Sequence, residues 1–468
     1  MRTLFSALRA YLLRNAIRGR RFLGRCYRFG KGKLRSRKRL QRRILHITDT
    51  KVFTRHLAFE LAEHGRTGDL LAILDAYRSR APELNINLFT KLVSVVDITT
   101  TNDPRITLTP REESKPYTFT EPKIFEETVS GPSRTLAVPR QWIAEVKNVS
   151  VIGSFQVIAD DDLLLYEPAA NPQDGFVAGI WPYVTRVNDE SGKACLWFVY
   201  KNRVRLDKGI LISGRCSPNY FHCLIEYFIR IFLVNPLPEL HDIPLILDAG
   251  LFPQEKEIVQ LLFPEWPVYY YDHHTTLLDV GTLYIPSVMT NHPDRLDAPL
   301  WQGSTLSESA LLKMRHRTLE RLGITLDTPP TRKIFLARRK GRNIVNAAEV
   351  EAIMADAGYE IVDTGTLSFA EQVRLFASAS HLAGPMGAAF SNLIFCHPDC
   401  QVLAMVTPFG KNFCMQSNLA QCIGCDYTVL SGTHPAYIRG AENSNRDLNL
   451  LHDAFSIDIA QLRRALRE

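Results

Sequence analysis

The pattern of apolar and polar residues divides the chain into segments with different predicted structures. Over residues 46–100 apolar side chains recur at the three- and four-residue spacing of a helix, most clearly at Leu57, Leu61, Leu70, Leu71, Ile73, Leu74 and Tyr77. Residues 101–135 are rich in Thr, Pro, Ser and Glu, which predicts a linker or a loosely docked segment. From residue 136 onward, apolar and β-branched runs predict strands at 149–157, 163–166, 195–200 and 209–213.

Strand and helix patterns alternate through the rest of the chain, which predicts an α/β fold. We expect an N-terminal α/β domain over residues 136–305, a C-terminal α/β domain over 306–450, and a C-terminal helix over 451–468. The strands are predicted at 244–247, 283–285, 333–337, 359–362, 381–383 and 401–406, and the helices at 253–262, 307–322, 346–358 and 368–378. This alternation implies parallel strands joined by right-handed crossovers.

A glycine turn follows the strand predicted at 381–383, where Gly384 to Asn392 read GPMGAAFSN. Backbone N–H groups and the dipole at a helix start favour a phosphate, and this turn comes where open α/β sheets bind ligands. Arg338 and Arg339 follow the strand at 333–337, so neighbouring strands would place both guanidinium groups opposite the turn. The sequence therefore predicts a diphosphate site, although small residues also let a helix pack closely on a sheet.

A second candidate site lies on a helix predicted at 217–232, with Ser217 as its N-cap and Pro218 in its first turn. His222, Glu226 and Arg230 are spaced four residues apart and share one stripe beside its apolar face. They could act as base, orienting group and anion clamp. The alternative is an ordinary charged pair on an amphipathic helix.

Two other patterns favour structural interpretations. Asp160 to Asp162 resemble a divalent-metal site for a sugar nucleotide, but the flanking strand patterns favour a polar turn. Five of the nine cysteines fall between Cys396 and Cys425, and Cys422 and Cys425 have zinc or redox spacing. No second pair has matching spacing, so we expect no metal and reduced, mostly buried thiols in a reducing compartment.

Charge is distributed unevenly along the chain. Residues 1–45 contain 16 Lys and Arg and no Asp or Glu. The rest of the chain contains 40 Lys and Arg and 49 Asp and Glu, so it is mildly acidic. Leu4, Leu8 and Leu12 belong to an apolar stripe that is typical of an amphipathic helix. This pattern in a basic tail predicts binding to an anionic membrane surface. The alternative is a disordered basic leader. We expect no nucleic acid partner, no secretion signal and a peripheral location at the inner face of a membrane.

Three separated blocks together resemble glycosyltransferase family 61, which includes bacterial proteins of capsular polysaccharide biosynthesis. The first block is Asn219 to His222 with Glu226 and Arg230, and the second is Lys333 to Arg339 with Arg342 and Asn346. The third is Ser368 to Gln372 followed by the glycine turn, and the resemblance covers about residues 140–450.

The resemblance implies two facing Rossmann-like domains (the GT-B type). The basic helical N-terminal segment that we expect before them lies outside the resemblance. It implies an inverting transfer from a nucleotide sugar, favoured as a UDP-sugar, to a polysaccharide or lipid-linked glycan, without another cofactor. Glu226 would be the general base with His222 orienting it or sharing that role, and Asn219, Tyr220 and Arg230 would lie on the acceptor side. The implied donor-binding residues are Arg338, Arg339, Arg342, Gly384, Met386, Gly387, Ala388 and Asn392.

One residue departs from the family pattern. The family usually has a histidine between the residues that match Pro385 and Gly387, and this chain has Met386 there. Methionine cannot donate a hydrogen bond to the donor. Either Arg338, Arg339 and the backbone compensate, or the protein is a non-catalytic relative that binds a glycan, a nucleotide or a partner.

Overall fold

The computed structural model describes residues 51–83, 85–127, 133–167, 183–290, 305–339, 343–437 and 448–467. The basic tail at 1–45 and Arg342 lie outside these ranges. Within the described residues, no helix combines the length and the apolar character needed to cross a membrane.

The strands are numbered in chain order: β1 Asn87–Asp97, β2 Ile106–Glu112, β3 Lys115–Phe119, β4 Lys123–Ile124, β5 Arg134–Val138, β6 Gln141–Ile152, β7 Gln156–Ala159, β8 Leu163–Tyr166, β9 Val184–Arg186, β10 Lys193–Tyr200, β11 Asn202–Leu211, β12 Leu245–Asp248, β13 Val268–Tyr271, β14 Thr276–Pro286, β15 Arg332–Leu336, β16 Glu360–Val362, β17 Ala379–Pro385, β18 Gln401–Val406 and β19 Asp426–Ser431.

The α-helices are α1 Lys51–Glu63, α2 Thr67–Arg80, α3 Tyr220–His222, α4 Ile231–Val234, α5 Pro253–Leu262, α6 Glu308–Arg321, α7 Ala347–Asp356, α8 Phe369–Ala377, α9 Met415–Ile423, α10 Leu448–Leu451 and α11 Ile459–Ala465. A π-helical turn lies at Cys223–Tyr227, and 3-10 helices lie at Phe228–Arg230, Pro238–Leu240, Thr364–Thr366, Ala388–Phe395 and Pro408–Gly410.

Contacts between residues divide the chain into two compact units, and the first consists of Met1–Val95, Asp162–Leu164 and Gly175–Asn202. In its described part, α1 and α2 pack on the antiparallel strands β1, β10 and β9. Leu70 and Leu74 are fully buried there, and the ring of Tyr77 meets that of Trp197 edge-on at 5.2 Å. The helical spacing seen in the sequence therefore buries one face of α2.

Two predictions for the N-terminal third of the chain are wrong. Residues 87–97, expected to be helical, form β1, because Val, Thr and Phe pack well on a pleated surface. Residues 101–135, expected to be a linker, contain β2, β3 and β4 and the start of β5. Strand β2 pairs with β6 and β4 pairs with β19, so sheet pairing overrides a local composition typical of loops.

The second unit consists of Val96–Asp161, Leu165–Asp174 and Arg203–Glu468. One of its sheets has the order β13-β12-β11-β14-β6-β7, with β2 also paired to β6. Strands β11, β12 and β13 are parallel, whereas β14 and β7 each pair antiparallel with β6. The other sheet has the order β16-β15-β17-β18-β19-β4 and is parallel throughout.

The α/β class is thus confirmed. Two facing Rossmann-like domains divided near residue 305 remain a prediction, since both sheets fall within one compact unit. The unit has two layers, one built on each of its two sheets. A single apolar cluster contains residues of both layers, among them Phe221, Phe228, Phe369 and Phe390.

Hydrogen bonds also join the two layers of this unit. The Glu257 carboxylate on α5 accepts the N–H groups of Phe369 (2.7 Å) and Ala370 (3.1 Å) at the start of α8. A negative charge there satisfies donors that a helix leaves unpaired and suits the helix dipole. The same helix start has the predicted capping box between Ser368 and Glu371.

Candidate active site

The first half of the candidate site lies on the helical segment 220–234, which runs from α3 through the π-helical turn to α4. Its N-cap is Asn219, whose side chain accepts the N–H of Phe221 at 3.1 Å. The prediction of Ser217 as N-cap is wrong, because the Ser217 hydroxyl donates instead to Asp248 at 3.0 Å. A π turn shifts the register of the side chains after it, and such turns are frequent at functional sites.

His222 and Glu226 form a buried pair on this segment. His222 Nδ1 lies 2.7 Å from Glu226 Oε2, and the two residues are 7% and 4% exposed. Burial works against the charged imidazole, but the Glu226 carboxylate and the Cys216 thiol outweigh it and raise the pKa of His222 well above its usual value. The pair therefore holds a proton next to a carboxylate, which is the arrangement that proton transfer requires.

Sequence reasoning missed the residues that support this pair. Cys216 is hydrogen-bonded to His222 through its thiol, and its backbone N–H donates to the Tyr227 hydroxyl at 3.0 Å. The Tyr227 ring stacks on the imidazole, with centroids 6.2 Å apart and planes 21° apart. A Cβ on Gly214 would lie 2.2 Å from that ring, so the glycine makes room for it. The position of this loop after β11 was the available signal.

Arg230, predicted as an anion clamp on the acceptor side, makes structural hydrogen bonds in this fold. Its Nε donates to the carbonyl of Pro286 at 2.8 Å, and a second guanidinium nitrogen donates to the same oxygen. Burial lowers its pKa, while the nearby charge of Glu167 opposes that shift. The side chain is committed to the end of β14, so its role is to pack and orient the segment.

A second cluster missed from the sequence lies at the carboxyl ends of β12 and β13. Asp248 is the last residue of β12 and accepts from the Ser217 hydroxyl at 3.0 Å and from the N–H of Gly250 at 2.7 Å. His273 Nδ1 lies 3.1 Å from its carboxylate. Burial tends to raise the pKa of Asp248, but His273 and these donors lower it. The cluster fixes the loop that leads into Asn219 and the helical segment.

The other half of the candidate site is at the carboxyl edge of the parallel sheet. The chain runs from β15 outward to β16 and then returns to β17 on the opposite side of β15, so the direction of strand addition reverses between β15 and β17. Open α/β sheets bind ligands at such a switch point. Arg338 follows β15 and Gly387 follows β17 at this location.

Arg338 and the glycine turn are in direct contact. A Cβ on Gly387 would lie 1.9 Å from a terminal guanidinium nitrogen of Arg338, so only a residue without a side chain leaves that nitrogen in place. Burial lowers the pKa of Arg338. Gly387 is also the N-cap of Ala388–Phe395, and as a glycine it offers no side chain to cap the first N–H groups.

Gly384 is required by the backbone. Its φ is +149°, which other residues rarely adopt, and a Cβ there would lie 2.7 Å from the carbonyl oxygen of Leu336 on β15. The glycine thus lets β17 approach β15 closely just before the turn. Its role is to build the switch point.

Three predicted donor-binding residues point elsewhere. Arg339 is paired with Glu351 on α7 at 2.6 Å and is largely exposed, because it extends to the helix side of the sheet. Met386 is 7% exposed and belongs to the apolar cluster, and Ala388 packs against that cluster. The prediction that these side chains face a donor diphosphate is not supported by their contacts.

Asn392 connects the two halves of the site. Its Oδ1 accepts the Tyr220 hydroxyl at 2.7 Å, and its Nδ2 donates to Gln372 Oε1 at 2.8 Å. Asn392 is fully buried. Its donor-side role and the acceptor-side role of Tyr220 stay predictions, beside the structural role that this hydrogen bond gives both residues. These hydrogen bonds therefore bring together residues of the first and third sequence blocks, as a support for the site.

The acidic run between β7 and β8 forms a turn, as predicted. Asp160 and Asp161 have positive φ values of 43° and 63°, a backbone conformation that aspartate tolerates in turns. Across the described ranges, no group of three or more His, Cys, Asp or Glu side chains is arranged to hold a metal ion.

The fold and these two half-sites define an α/β protein with a candidate ligand site at the switch point of a parallel sheet. Residues 220–403, which include the helical segment, Arg338 and the glycine turn, match the family model described as Glycosyltransferase 61. This stretch makes up less than half of the chain and is similar to that family, and the similarity points to a glycosyltransferase activity in general. A search of curated proteins found no match.

The two glycines of the turn give a matched pair of variants. We expect Gly384→Ala to lower the free energy of unfolding by about 2–5 kcal/mol, since it adds backbone strain and a clash with backbone. Gly387→Ala should cost less than about 1 kcal/mol, because its φ of −177° suits alanine and the guanidinium can move aside. Urea unfolding of both variants measures the difference, and equal losses would contradict the roles assigned to them.

Proposed function

We propose that the protein is an inverting, nucleotide-sugar-dependent glycosyltransferase that extends a polysaccharide or a lipid-linked glycan. The donor diphosphate binds at Arg338 and the start of Ala388–Phe395, and a UDP-sugar is the favoured donor. The acceptor hydroxyl loses its proton to the His222–Glu226 pair. An inverting transfer needs these two elements, a base for the acceptor and positive charge or N–H donors for the leaving diphosphate.

The contact between Arg338 and Gly387 at the switch point carries the proposal. A guanidinium group beside uncapped N–H groups at a helix start is a combination suited to phosphate oxygens. It lies within the stretch that matches the family model. The guanidinium group and the N–H groups would both contact the diphosphate and not the sugar. The proposal therefore specifies the diphosphate and does not specify which sugar is transferred.

The base is proposed to be the pair, with Glu226 as the carboxylate that accepts the proton. His222 holds that carboxylate in place through its Nδ1 and is the more exposed of the two side chains, at 9% against 5%. Because its raised pKa keeps the imidazole protonated, the Glu226 carboxylate is the member of the pair that is able to accept the proton of the acceptor hydroxyl. Cys216 and Tyr227 restrict the imidazole to one orientation.

The cellular setting of the proposal is cell-surface polysaccharide synthesis. The family resemblance to capsular polysaccharide proteins supports an extended glycan acceptor. The family match by itself supports only a sugar donor and an acceptor in general. A membrane-extruded or lipid-linked acceptor is consistent with the basic composition of residues 1–45.

Binding without catalysis is a second candidate function, and the burial of Met386 favours it. Met386 is 7% exposed and belongs to the apolar cluster, and its methyl group lies 4.0 Å from the position of a Cβ on Gly410. A protein that lost a donor-side histidine there would keep the fold and its anion site but lose turnover.

Arg338→Ala is expected to weaken nucleoside diphosphate binding roughly 10- to 100-fold, the worth of a charge-assisted hydrogen bond. Arg339→Ala is the matched control, because its neighbouring guanidinium is paired with Glu351. Thermal shift against UDP, GDP, CMP and dTDP, with and without divalent cations, screens for the ligand, and calorimetry measures its affinity. Equal losses in the two variants, or binding by neither variant nor wild type, would contradict the proposed donor site.

Glu226→Gln is expected to lower turnover roughly 100-fold or more and to leave nucleotide affinity unchanged, since an amide cannot accept the proton. Glu255→Gln is the control for loss of a buried glutamate, because Glu255 is fully buried on α5. Nucleotide release from the sugar donor measures turnover. If the turnover of the Glu226→Gln variant lies within a few-fold of wild type, the assignment of Glu226 as the base is wrong.

Met386→His separates the two candidate functions. If the protein is already catalytic, we expect turnover to stay the same or to fall, because an imidazole replaces a side chain that fills the apolar cluster. A rise in turnover of about tenfold or more, with nucleotide affinity measured in parallel, would instead support the non-catalytic relative.

A further inference from the structure

A cluster of three thiols lies at the amino edge of the parallel sheet, opposite to the switch point. Cys396 directly follows the Ala388–Phe395 helix, Cys400 precedes β18, and Cys425 precedes β19. The thiols of all three are hydrogen-bonded to one another. All the described cysteines are free, so this cluster is reduced.

The strand register brings two members of the cluster together independently of their hydrogen bonds. Gln401 on β18 pairs with Asp426 on β19, so Cys400 and Cys425 occupy equivalent positions immediately before paired residues. Adjacent strands are about 5 Å apart. That separation falls within the Cα spacing of about 4.4–6.8 Å that disulfides require.

The surroundings of Cys425 distinguish it from the other two thiols. It is 7% exposed, whereas Cys396 and Cys400 are fully buried, so it is the member that solvent reaches. As a thiol it donates to the carbonyl of His397 at 3.4 Å, and as a thiolate it accepts from Cys396 and Cys400. Those two hydrogen bonds lower its pKa, burial opposes them, and the positive charge of Arg315 adds to the lowering.

We propose that Cys425 is a hydroperoxide-reactive thiol that forms an intramolecular disulfide with Cys396 or Cys400. The Cys425 thiolate attacks one peroxide oxygen, the O–O bond breaks, and the departing oxygen takes up a proton. The neighbouring thiol attacks the sulfur of the resulting sulfenic acid, so that the S–S bond forms, the S–O bond breaks, and the hydroxyl group leaves as water with the thiol proton. In total, two thiols are oxidised to a disulfide and one hydroperoxide is reduced to an alcohol and water. With hydrogen peroxide, the reduced products are two water molecules.

The sequence suggests a different partner for Cys425. Cys422 and Cys425 have the spacing of a redox pair, but Cys422 lies on α9 and is half-buried. Burial and the charge of Glu308 raise its pKa to about 12, so it is a poor nucleophile. The contacts of Cys425 are instead with thiols that are distant in the sequence.

Peptide mapping separates these two pairings. Trypsin places Cys396 and Cys400 in the peptide 375–411, and Cys414, Cys422 and Cys425 in the peptide 412–439. Reduced full-length protein is treated with a small excess of hydrogen peroxide, blocked with N-ethylmaleimide and digested without reductant. We expect the two peptides to become linked, with two fewer alkylated thiols.

Two serine variants complete the test. Cys425→Ser should lower the linked fraction about tenfold or more, whereas Cys422→Ser, the matched control, should leave it unchanged. A disulfide within the peptide 412–439, a link that persists in Cys425→Ser, or full alkylation of all three thiols after peroxide treatment would each overturn the proposal. None of these readouts depends on glycosyl transfer or on nucleotide binding.

Discussion

The hydrogen bonds of one buried amide hold the candidate active site together. Asn392 accepts the hydroxyl of Tyr220 and donates to Gln372, which in turn donates to the backbone carbonyls of Thr364 and Leu367. Tyr220 begins the segment that carries His222. A buried amide left without its partners is costly, so this arrangement fixes one position of the helical segment against the parallel sheet.

Much of the parallel sheet could be predicted from the sequence. The boundaries of β18 and the capping box at Ser368 came from local patterns. The pairing of β15 with β17, which places Arg338 beside the glycine turn, was a condition of the predicted diphosphate site, and the structure contains that pairing. The strands within residues 101–135 could not be predicted this way, because their pairing partners are far along the chain and their composition is typical of loops. The membrane-surface role of residues 1–45 stays a prediction.

The sequence indicated which residue types belong to the candidate site, but it predicted only some of the contacts that they make. The spacing correctly predicted the contact between His222 and Glu226, because side chains four positions apart on a helix are neighbours on one face. The same spacing failed for Arg230, because the π turn and the 3-10 turn shift its direction and Pro286 takes its hydrogen bonds. Side-chain direction likewise separates Arg338 from Arg339, and one sequence does not reveal which of two neighbours faces a ligand.

The stereochemistry of the first turnover tests the central claim most directly. A single base opposite a departing diphosphate gives inversion at the anomeric carbon, with no covalent intermediate to restore the configuration. The substrate is an α-linked nucleotide sugar. With glycan as acceptor, NMR reads the anomeric configuration of the new glycosidic bond. With water as acceptor, NMR reads that of the free sugar before it mutarotates. The account predicts the β anomer. Release of the α anomer would contradict it, as would a donor that binds without any transfer to glycan or water.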